Sequence, residues 1–370
     1  MIVSVTNDLY TDNRVDKVCR FLMDQGYEVL LVGRKRNDSK ELPERPYETH
    51  RMKLLFEKGP LFYASFNVRL FLFLLIRKAD ILVANDLDTL LANFLASKFK
   101  RRSELVYDSH EFFTEVPELV SRPKVRGIWL RIEKWIFPKL KKVYTVNGSI
   151  AASYKERYGK DLEVVRNISP LWNPERKLSK KELGLPEDRF LIILQGAGIN
   201  VDRGAEEAVE AMKDLENSVL LIVGDGDIVP QLKKNVNEYD LQDKVLFYGK
   251  RPYSELMQFT ANADIGLTLD KPSNLNYRFS LPNKVFDYIH ANTPVICTDL
   301  PEVRKVVEGH KVGIVLEEFT PKTLAAAIEE LKSDPKRLEK LRQNCQRAAQ
   351  QESWEGECET LRKMYPKVEA

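Results

Sequence analysis

The feature that most constrains the fold is an alternation of short apolar runs with segments of helical periodicity along nearly all 370 residues. Several apolar runs are continuous, as at 190–194, which is typical of parallel strands buried on both faces. Strands that alternate with helices favour doubly wound parallel sheets in an α/β fold. The predicted strands are 2–6, 28–32, 81–84, 105–107, 143–146, 162–165, 190–194, 219–223, 245–248, 265–269, 294–297 and 313–316.

A stretch rich in proline and asparagine divides these strands into two sets. Residues 167–174 read Asn-Ile-Ser-Pro-Leu-Trp-Asn-Pro, and a charged segment follows at 177–182. This composition is typical of an interdomain linker, and the chain is longer than one ordinary core supports. We expect two Rossmann-like domains, 1–170 and 171–350, with a C-terminal helix over 351–370 that packs back on the N-terminal domain.

The net charge of +3 is unevenly distributed, since residues 1–170 carry +8 and residues 171–370 carry −5. An anionic partner is therefore expected in the N-terminal half. The four cysteines (Cys19, Cys297, Cys345 and Cys358) have no paired spacing. They predict reduced thiols in a cytoplasmic protein, with no disulfide framework and no metal centre.

Neither the start of the chain nor its most apolar stretch predicts a membrane segment. The first residues, Met-Ile-Val-Ser-Val-Thr, lack a basic region and a long apolar core, so they predict a first strand and not a signal peptide. The apolar stretch 70–76 is about a third of the roughly 20 residues that a spanning helix needs. Asn67 and Arg69 interrupt its extension.

The first helix is predicted between residues 13 and 26. Thr11, Asp12 and Asn13 are plausible capping residues, and Gly26 ends the segment. Four apolar residues follow the helical repeat and predict its buried face: Val15, Val18, Cys19 and Leu22.

Glycines follow three successive predicted strands in the C-terminal half. Glycine lets backbone amides approach an anion, and doubly wound sheets bind ligands at the carboxyl ends of their strands. Arg203 can pair with a diphosphate in bidentate fashion, although a tight turn with a solvated arginine explains the same loop. The candidate residues of these strand ends are Gly198, Arg203, Gly204, Gly224, Gly226, Tyr248 and Lys250.

The segment Ser280-Leu-Pro-Asn-Lys-Val-Phe-Asp-Tyr288 predicts a helix N-terminus that faces an anion. Pro282 suits the first turn of a helix and leaves the amides near Asn283 and Lys284 available to phosphate oxygens. Asp287 lies one turn further on, where a carboxylate can accept hydrogen bonds from ribose hydroxyls. The alternative is an amphipathic helix with an exposed lysine and aspartate.

In the N-terminal half, His110 follows a predicted strand and stands beside Asp108 and Glu111. Histidine can donate or accept a proton near neutral pH, and a neighbouring carboxylate can fix its tautomer. We predict that His110 handles a proton, with Asp108 and Glu111 orienting it. The alternative is that His110 caps the following helix.

Polar residues at two further strand ends predict an acceptor site. Asn85, Asp86 and Asp88 follow the strand 81–84, and the loop 7–13 with Asn7 and Asn13 follows the first strand. Their side chains can hydrogen-bond acceptor hydroxyls. A capping role at the start of a helix over 89–99 explains Asp88 equally well.

The segment 122–142 mixes cations with large apolar residues. Ile128, Arg131, Ile132 and Trp135 share helical spacing, so we expect much of this face to be buried with a solvated basic edge. Tryptophan among lysines and arginines also suits an anionic membrane surface. Together with 62–73, the segment is a candidate docking face for lipid headgroups.

The order of these motifs resembles the glycosyltransferase family 4 enzymes of the GT-B fold. The donor-domain resemblance rests on Arg203-Gly204, Gly224-Asp-Gly226, Phe247-Tyr-Gly249, Ala263-Asp-Ile-Gly266, Leu281-Pro-Asn-Lys-Val-Phe-Asp-Tyr288 and Thr293-Pro-Val295. In the N-terminal half it rests on Tyr107-Asp-Ser-His-Glu111, Tyr144-Thr-Val-Asn-Gly-Ser149 and Val164-Val-Arg-Asn167. The resemblance implies two doubly wound domains facing a central cleft, with Arg203 and Lys284 on the donor diphosphate, Asp287 on the ribose and His110 near the donor sugar.

The resemblance also implies a retaining glycosyltransferase that moves a hexose-type sugar from UDP or GDP to a glycan or lipid-linked acceptor in surface polysaccharide assembly. Such an enzyme needs no metal and no further cofactor, and would be cytoplasmic or peripheral at the inner face of the membrane. The sequence departs from the family where many relatives have a glutamate, because Phe279 stands eight positions before Asp287. A small residue near Gly198 also replaces a usual arginine.

Three other functions are weighed against this one. A nicotinamide-dependent oxidoreductase would need glycines after its first strand, and residues 1–9 contain none. A GT-B-like sugar-nucleotide epimerase would share the fold without needing an acceptor. A non-enzymatic membrane adaptor would leave the glycine-rich strand ends without a role, and the basic half lacks a nucleic-acid recognition module, so nucleic acid is not an expected partner.

Overall fold

A computed structural model describes residues 1–10, 12–100 and 102–368. The chain divides into two compact units, Met1–Arg166 with Glu357–Ala370, and Asn167–Gly356. The predicted linker 167–174 begins where the first unit ends. This segment also contributes to the core of the second unit, in which Ile168 is fully buried.

The first unit contains a parallel sheet in the order β3-β2-β1-β4-β5-β6-β7. Its strands are β1 (Ile2–Asp8), β2 (Leu30–Lys35), β3 (Glu48–Lys53), β4 (Ile81–Asn85), β5 (Glu104–Ser109), β6 (Lys142–Thr145) and β7 (Glu163–Val164). Its helices are α1 (Asn13–Asp24), α2 (Gly59–Ile76), α3 (Leu87–Phe99), α4 (Pro117–Val120), α5 (Pro123–Ile136) and α6 (Gly148–Tyr158), with 3₁₀ turns at Phe113–Glu115 and Phe137–Lys139. The strand order reverses between β1 and β4, as in doubly wound folds.

The second unit contains a parallel sheet in the order β10-β9-β8-β11-β12-β13. Its strands are β8 (Phe190–Gly196), β9 (Ser218–Gly224), β10 (Val245–Phe247), β11 (Ile265–Thr268), β12 (Val295–Thr298) and β13 (Gly313–Leu316). Its helices are α7 (Ala205–Ala211), α8 (Val229–Glu238), α9 (Tyr253–Asn262), α10 (Leu275–Arg278), α11 (Asn283–His290), α12 (Pro301–His310), α13 (Pro321–Ser333) and α14 (Pro335–Ala349), with a 3₁₀ turn at Met212–Asp214. A last helix, α15 (Trp354–Met364), begins in this unit and continues into the first.

The second sheet is covered on both faces, which explains its continuous apolar strands. Along β8, Leu191 and Ile193 pack into one core cluster while Ile192 and Leu194 pack into another. Successive side chains of a strand point to opposite faces, so burial of both sets requires helices on both sides of the sheet. Every residue of β9 is buried for the same reason.

Each predicted strand overlaps an observed one, and β3 was not predicted. Its sequence, Glu-Thr-His-Arg-Met-Lys, has one apolar residue, Met52, and that side chain is buried. β3 lies at the edge of the sheet and pairs only with β2 among the described strands. An edge strand of this kind contributes little to the core, so its sequence carries little hydrophobic pattern.

The first helix forms as its pattern predicts. Asp12 is its N-cap and its carboxylate accepts a hydrogen bond from the amide of Val15 at 3.1 Å. The predicted face (Val15, Val18, Cys19 and Leu22) is buried. The helix ends before Gly26, whose φ of +88° favours glycine. Thr11, predicted as part of the cap, lies outside the described residues.

The helix α2 is longer than the apolar stretch 70–76 suggested. Its 18 residues have a mean hydropathy of 1.6, and by length and composition alone it could cross a membrane, although the core helix of a soluble protein passes the same test. One face packs into the core through Phe62, Phe66, Leu70 and Leu74. The opposite side exposes Leu61, Val68, Leu72 and Ile76. Asn67, expected to interrupt an apolar segment, instead hydrogen-bonds the carbonyl of Asp88.

The predicted buried face of α5 was wrong. Trp129, Glu133 and Ile136 are buried, whereas Ile128 and Trp135 are 55% and 47% exposed. The helix buries Glu133 because Tyr158 and Arg157 donate hydrogen bonds to its carboxylate. Spacing alone could not distinguish this face, since it contains a charged residue whose partners lie elsewhere in the sequence.

The C-terminal segment belongs to the first unit. The carboxylate of Glu357 accepts hydrogen bonds from the backbone and guanidinium of Arg166, and the amide of Val368 donates to the carbonyl of Gln25. The ring of Tyr365 packs edge-on against Tyr144. Three thiols of the protein, Cys19, Cys297 and Cys345, are buried and free, and burial raises the pKa of each.

Candidate functional site

Each unit has a cavity at the point where its strand order reverses. In the first unit the cavity is lined by residues that end or follow β1, β4 and β5. In the second unit it is lined by residues that end or follow β8 and β11, together with the start of α11. Loops diverge at such a switch point and leave a crevice at the carboxyl ends of the strands.

The cavity of the second unit has a volume of about 320 Å³, within the range of small-molecule sites. Among the predicted residues, it is lined by Gly198, Arg203 and four positions at the start of α11. The full lining is Leu194, Gln195, Gly196, Ala197, Gly198, Ile199, Arg203, Leu256, Asp270, Pro282, Asn283, Lys284 and Asp287.

Two cations and two carboxylates line this cavity: Arg203, Lys284, Asp270 and Asp287. The guanidinium of Arg203 lies 2.9 Å from Oδ2 of Asp270 and 4.3 Å from the centre of the Tyr277 ring. Burial lowers the pKa of Lys284, and the nearby carboxylate of Asp270 opposes that shift. The formal charges of the four groups cancel, so an anionic ligand would be bound by the local donors of Arg203 and Lys284.

The N-terminus of α11 opens onto the same cavity. Pro282 is the N-cap and Asn283 the first helical residue, so Pro282 stands one position before the first turn in which the sequence placed it. The cap makes no side-chain hydrogen bond to the helix. The first amides of a helix have no intrahelical partner, so this end can donate hydrogen bonds to an anion.

Asp287 lies at the back of the cavity in a network of protein donors. Its Oδ1 accepts hydrogen bonds from the hydroxyls of Ser169 at 3.0 Å and Tyr253 at 2.9 Å. Its Oδ2 accepts from the amide of Gln195 at 3.2 Å. These three hydrogen bonds orient the carboxylate of Asp287 in the lining of the cavity.

Gly204, Gly224 and Gly226 act through close packing rather than by lining the cavity. A Cβ at Gly224, whose φ is +147°, would lie 1.8 Å from the carbonyl oxygen of Gly196. A Cβ at Gly226 would lie 2.1 Å from the carbonyl oxygen of Ile199. The end of β9 therefore supports the loop after β8, which itself lines the cavity. Gly204, with φ of +73°, packs against Leu269.

Tyr248 and Lys250 lie outside the cavity, contrary to the prediction. The ring of Tyr248 packs against Phe259, and Lys250 is exposed. The reason is the strand order: β10 is two strands away from β8, or about 10 Å at the usual spacing of strands. Three glycine-rich strand ends share one edge of the sheet, but only the first borders the cavity directly.

The cavity of the first unit has a volume of about 400 Å³ and is rich in charged side chains. Four predicted residues reach it from β4 and β5 or just beyond them: Asn85, Asp86, His110 and Glu111. The full lining is Val5, Thr6, Asn7, Arg34, Glu57, Lys58, Gly59, Phe62, Tyr63, Asn85, Asp86, Asp88, His110, Glu111 and Phe113.

His110 is held between two aspartates. Its Nε2 lies 2.9 Å from Oδ2 of Asp108, and its Nδ1 lies 3.5 Å from Oδ2 of Asp86. Asp108 is fully buried and also pairs with Arg14 at 3.0 Å. Burial lowers the pKa of His110, but the two carboxylates outweigh it and raise the pKa to about 9. Burial raises the pKa of Asp108, while Arg14 and His110 lower it by more.

This geometry favours one of the two predicted roles of His110. An imidazolium can donate hydrogen bonds but cannot accept a proton, so sugar contact fits better than action as a base. The alternative role as a helix cap does not fit, because the next helical turn is capped at Phe112.

Two carboxyls lie at the N-terminus of α3: Asp86, whose side chain is 20% exposed, and Asp88, which is buried. Asp86 has a φ of +58°, which is unusual for a residue with a side chain, and its Oδ1 accepts the backbone amide of His110 at 2.7 Å. Burial raises the pKa of Asp86 well above its usual value, and His110 opposes this. Burial also raises the pKa of Asp88 to about 7. The helix begins at Leu87, so Asp88 lies in its first turn and is not the cap.

The remaining predicted acceptor residues differ in position. Asn85 lines the cavity, but its amide already donates to the carbonyl of Ser4 at 2.9 Å. Asn7 lines the cavity and donates to the carboxylate of Asp12 at 3.1 Å. Asn13 is exposed as the first residue of α1 and does not line the cavity, because the helix carries it away from the end of β1.

Sequence reasoning missed Asp270 and Arg14. Asp270 follows the predicted strand 265–269 directly, so its position at a strand end was visible, but no glycine or motif accompanied it. Arg14 lies on the buried side of α1 among apolar residues, where its partner Asp108 is 94 positions away. Only the folded chain brings the two together.

No group of three or more histidine, cysteine, aspartate or glutamate side chains in residues 1–10, 12–100 and 102–368 has the arrangement of a metal site. Whether the protein acts without a metal stays a prediction.

Two family models match the chain and together account for most of it. Residues 12–169 match Glycosyltransferase Family 4, and residues 175–352 match Glycosyl transferases group 1. The lipopolysaccharide core biosynthesis glycosyltransferase LpsD of Rhizobium meliloti is 25% identical over 197 residues, which is 53% of this chain and 54% of that protein. The chain thus spans about half the length of the curated relatives it matches.

Solved structures match the whole chain. Sucrose-phosphate synthase of Thermosynechococcus elongatus has a TM-score of 0.79 at 18% identity, over 98% of this chain and 97% of that one. HepE of Anabaena, solved with UDP-glucose, has a TM-score of 0.73 at 16% identity, over 99% of both chains. At these identities the likeness shows the fold alone.

Proposed function

The chain belongs to the group 1 glycosyltransferases of glycosyltransferase family 4, with the GT-B fold, and from that premise we propose its reaction. It transfers a hexose-type sugar from a nucleotide diphosphate, UDP or GDP, to a glycan or a lipid-linked acceptor. The name of LpsD supports a role in surface polysaccharide assembly. The UDP-glucose complex of HepE supports a nucleotide-sugar donor.

The observation that carries this proposal is the pair of cations beside a helix N-terminus in the cavity of the second unit. Arg203, Lys284 and the N-terminus of α11 line one space at the carboxyl edge of the sheet. Their donors and charges fit the two phosphates of a nucleotide sugar. Asp287, oriented by Tyr253 and Ser169, is available to the ribose hydroxyls.

The proposed chemistry is substitution at the anomeric carbon with retention of configuration. The bond between that carbon and the diphosphate oxygen breaks, and the acceptor oxygen bonds to the same face. The departing diphosphate takes up the acceptor proton, so no protein base is required. Arg203, Lys284 and the helix end stabilise the negative charge that develops on the diphosphate.

The cavity of the first unit is the proposed acceptor side. Asp86, Asp88 and Glu111 offer carboxyl groups to acceptor hydroxyls, and His110 donates a hydrogen bond to the sugar. His110→Gln tests this division. We expect transfer to fall by roughly 100-fold while the affinity for UDP stays within twofold, since a charged hydrogen bond contributes about 1.5–3 kcal/mol. An equal loss of UDP affinity would contradict the assignment of donor and acceptor to separate cavities.

The decisive test of the donor is thermal shift and calorimetry with UDP, GDP, ADP and their glucose or mannose conjugates. Stabilisation by one nucleoside diphosphate and its sugar supports the proposal. Stabilisation by none of these, together with stabilisation by a nicotinamide cofactor, overturns it. Release of free sugar or an epimer without acceptor indicates the epimerase alternative. Nuclear magnetic resonance of the product reports retention, and activity in excess chelator tests independence from metal.

We also propose that the first unit docks on an anionic membrane at the inner face. The exposed apolar residues of α2 and the exposed Ile128 and Trp135 of α5, with the net charge of +8 over residues 1–170, support this. Liposome flotation with and without anionic lipid tests it. Recovery in the soluble fraction under both conditions counts against it, and Trp135→Lys should reduce flotation without changing UDP affinity.

A further inference from the structure

Asp270 is a buried carboxylate in the donor cavity that none of the family motifs includes. It lies just beyond β11, its side chain is completely buried, and its backbone carbonyl accepts a hydrogen bond from Thr298 at 2.6 Å. Its Oδ2 lies 2.9 Å from a guanidinium nitrogen of Arg203. Apart from this ion pair, its two oxygens have no hydrogen-bond partner among the described residues.

A carboxylate in an anion site needs a physical reason. It repels a diphosphate, and a buried charge without enough hydrogen bonds is unfavourable. The arrangement becomes favourable if the carboxylate organises the cations that bind the ligand. Arg203 is the flexible member, and it is confined between the Asp270 carboxylate and the Tyr277 ring.

The second cation, Lys284, lines the same cavity. Burial and Arg203 lower the pKa of Lys284, whereas Asp270 raises it. The direct contact of Asp270, however, is with Arg203.

We propose that Asp270 is a positioning residue for the donor diphosphate: it holds the guanidinium of Arg203 in a fixed orientation. The inference rests on the proposed function, because it assumes that a nucleoside diphosphate binds between Arg203 and Lys284. Asp270 acts through Arg203 and does not touch the phosphates.

The first experiment compares the affinities of UDP and UDP-glucose for the full chain and for Asp270→Asn at pH 7, by calorimetry. GDP and GDP-mannose replace them if the protein prefers guanine. Loss of an oriented charged contact predicts about tenfold weaker binding of both ligands. If Asp270 did nothing but repel the diphosphate, removing its negative charge would tighten the binding of UDP and of UDP-glucose. Tighter binding, or an unchanged affinity, therefore overturns the proposal.

A comparison of UDP with UDP-glucose distinguishes a positioning role of Asp270 from direct contact between Asp270 and the sugar. If Asp270 accepts hydrogen bonds from sugar hydroxyls, Asp270→Asn weakens UDP-glucose and leaves UDP unchanged, which overturns the proposal. The matched control is Asp299→Asn, which removes an exposed carboxylate paired with Arg304 at 2.6 Å outside the cavity. The control should bind both ligands as the unmodified protein does.

A double-mutant cycle tests the positioning of Arg203. In an Arg203→Ala background, Asp270→Asn should no longer weaken UDP binding, whereas equal losses in both backgrounds contradict the positioning of Arg203.

The outcomes distinguish this inference from the proposed function. If the unmodified chain binds no nucleoside diphosphate, the donor assignment fails and Asp270 loses its proposed role with it. If the unmodified chain binds UDP and Asp270→Asn binds it equally well, the donor assignment stands and only the role of Asp270 fails. Melting temperatures and near-ultraviolet circular dichroism of each variant show whether a loss of binding reflects loss of the fold.

Discussion

The two cavities of this protein lie at equivalent points of two sheets with nearly the same strand order, yet different charged groups line them. The first gathers Asp86, Asp88 and Glu111 around a single histidine, and Arg34, Glu57 and Lys58 complete its charged lining. The second combines the cations of Arg203 and Lys284 with the carboxylates of Asp270 and Asp287. The shared fold fixes where a ligand site forms, and the side chains at the strand ends determine what each site can bind.

The cavities also differ in how they are assembled. In the cavity of the second unit, Arg203 stands directly before Gly204 and Lys284 stands two positions after Pro282. Glycine and proline therefore identify both segments in the sequence. In the first unit, Arg14 on α1 orients Asp108 on β5, which in turn orients His110. Four predictions test this contrast, in order of decreasing effect.

Gly224→Ala should destabilise the second unit by roughly 4 kcal/mol or prevent its folding. The new Cβ would overlap the carbonyl oxygen of Gly196, and neither backbone can move away within paired strands. Urea denaturation measures the change. The control is Gly309→Ala, whose Cβ meets nothing within 4 Å and which should be neutral or slightly stabilising. A Gly224→Ala protein as stable as this control would contradict the packing role assigned to β9.

Asp88→Asn should stabilise the first unit at pH 8 by about 3 kcal/mol, after allowance for a weaker hydrogen bond from Thr6. Burial raises the pKa of Asp88 in the folded protein to about 7 from an ordinary value of 3.8, so the folded protein binds more protons than the unfolded chain between these values. The stability of the unmodified protein therefore falls as pH rises from about 4 to 7. The advantage of asparagine grows over this window and levels above pH 7.

Chemical denaturation at five pH values between 4 and 8 measures this profile. Asp161→Asn is the control, since that carboxylate is 81% exposed and its substitution should give a small, nearly constant difference. A constant difference for Asp88→Asn would contradict the burial of its charge.

Arg203→Ala should weaken UDP binding by roughly 100-fold, or about 2.8 kcal/mol, because it removes a charged donor and leaves Asp270 unpaired. Lys250→Ala should bind UDP normally, since Lys250 lies outside the cavity. Titration calorimetry gives both values. If the two variants lose affinity equally, the sequence-based assignment of Lys250 is right and the strand-order argument against it is wrong.

Tyr253→Phe should weaken UDP binding by about fivefold, the smallest of these effects. It removes one of the hydroxyls that orient Asp287 and leaves the ring in place. Tyr239→Phe at the end of α8 is the control and should have no effect on binding. Loss of affinity for uridine as well as UDP would assign the effect to the ribose end of the ligand.

The sequence predicted the strands well because they rest on local patterns. Apolar runs such as 219–223 become strands wherever both faces of a sheet are covered, and all residues of β9 are indeed buried. The pattern failed where the chain contributes little to a core, as at β3, or where a buried charge replaces an apolar residue, as at Glu133 on α5.

The site was predicted in part for the same reason. Pro282, Asn283 and Lys284 lie in one short segment, so their spacing defines a helix N-terminus before any fold is known. Tyr248 and Lys250 share the strand-then-glycine pattern of the first loop, but the order of strands in the sheet separates them from the cavity.

By itself, the sequence determined the α/β class, the family and the segments that line the cavity of the second unit, because period, turn chemistry and motif order are properties of neighbouring residues. Only the tertiary structure decided that Asp270 faces Arg203, that Arg14 supports Asp108 and that two carboxylates raise the pKa of His110. The first two contacts join partners 67 and 94 positions apart, and the third depends on burial, which strengthens the effect of a nearby charge.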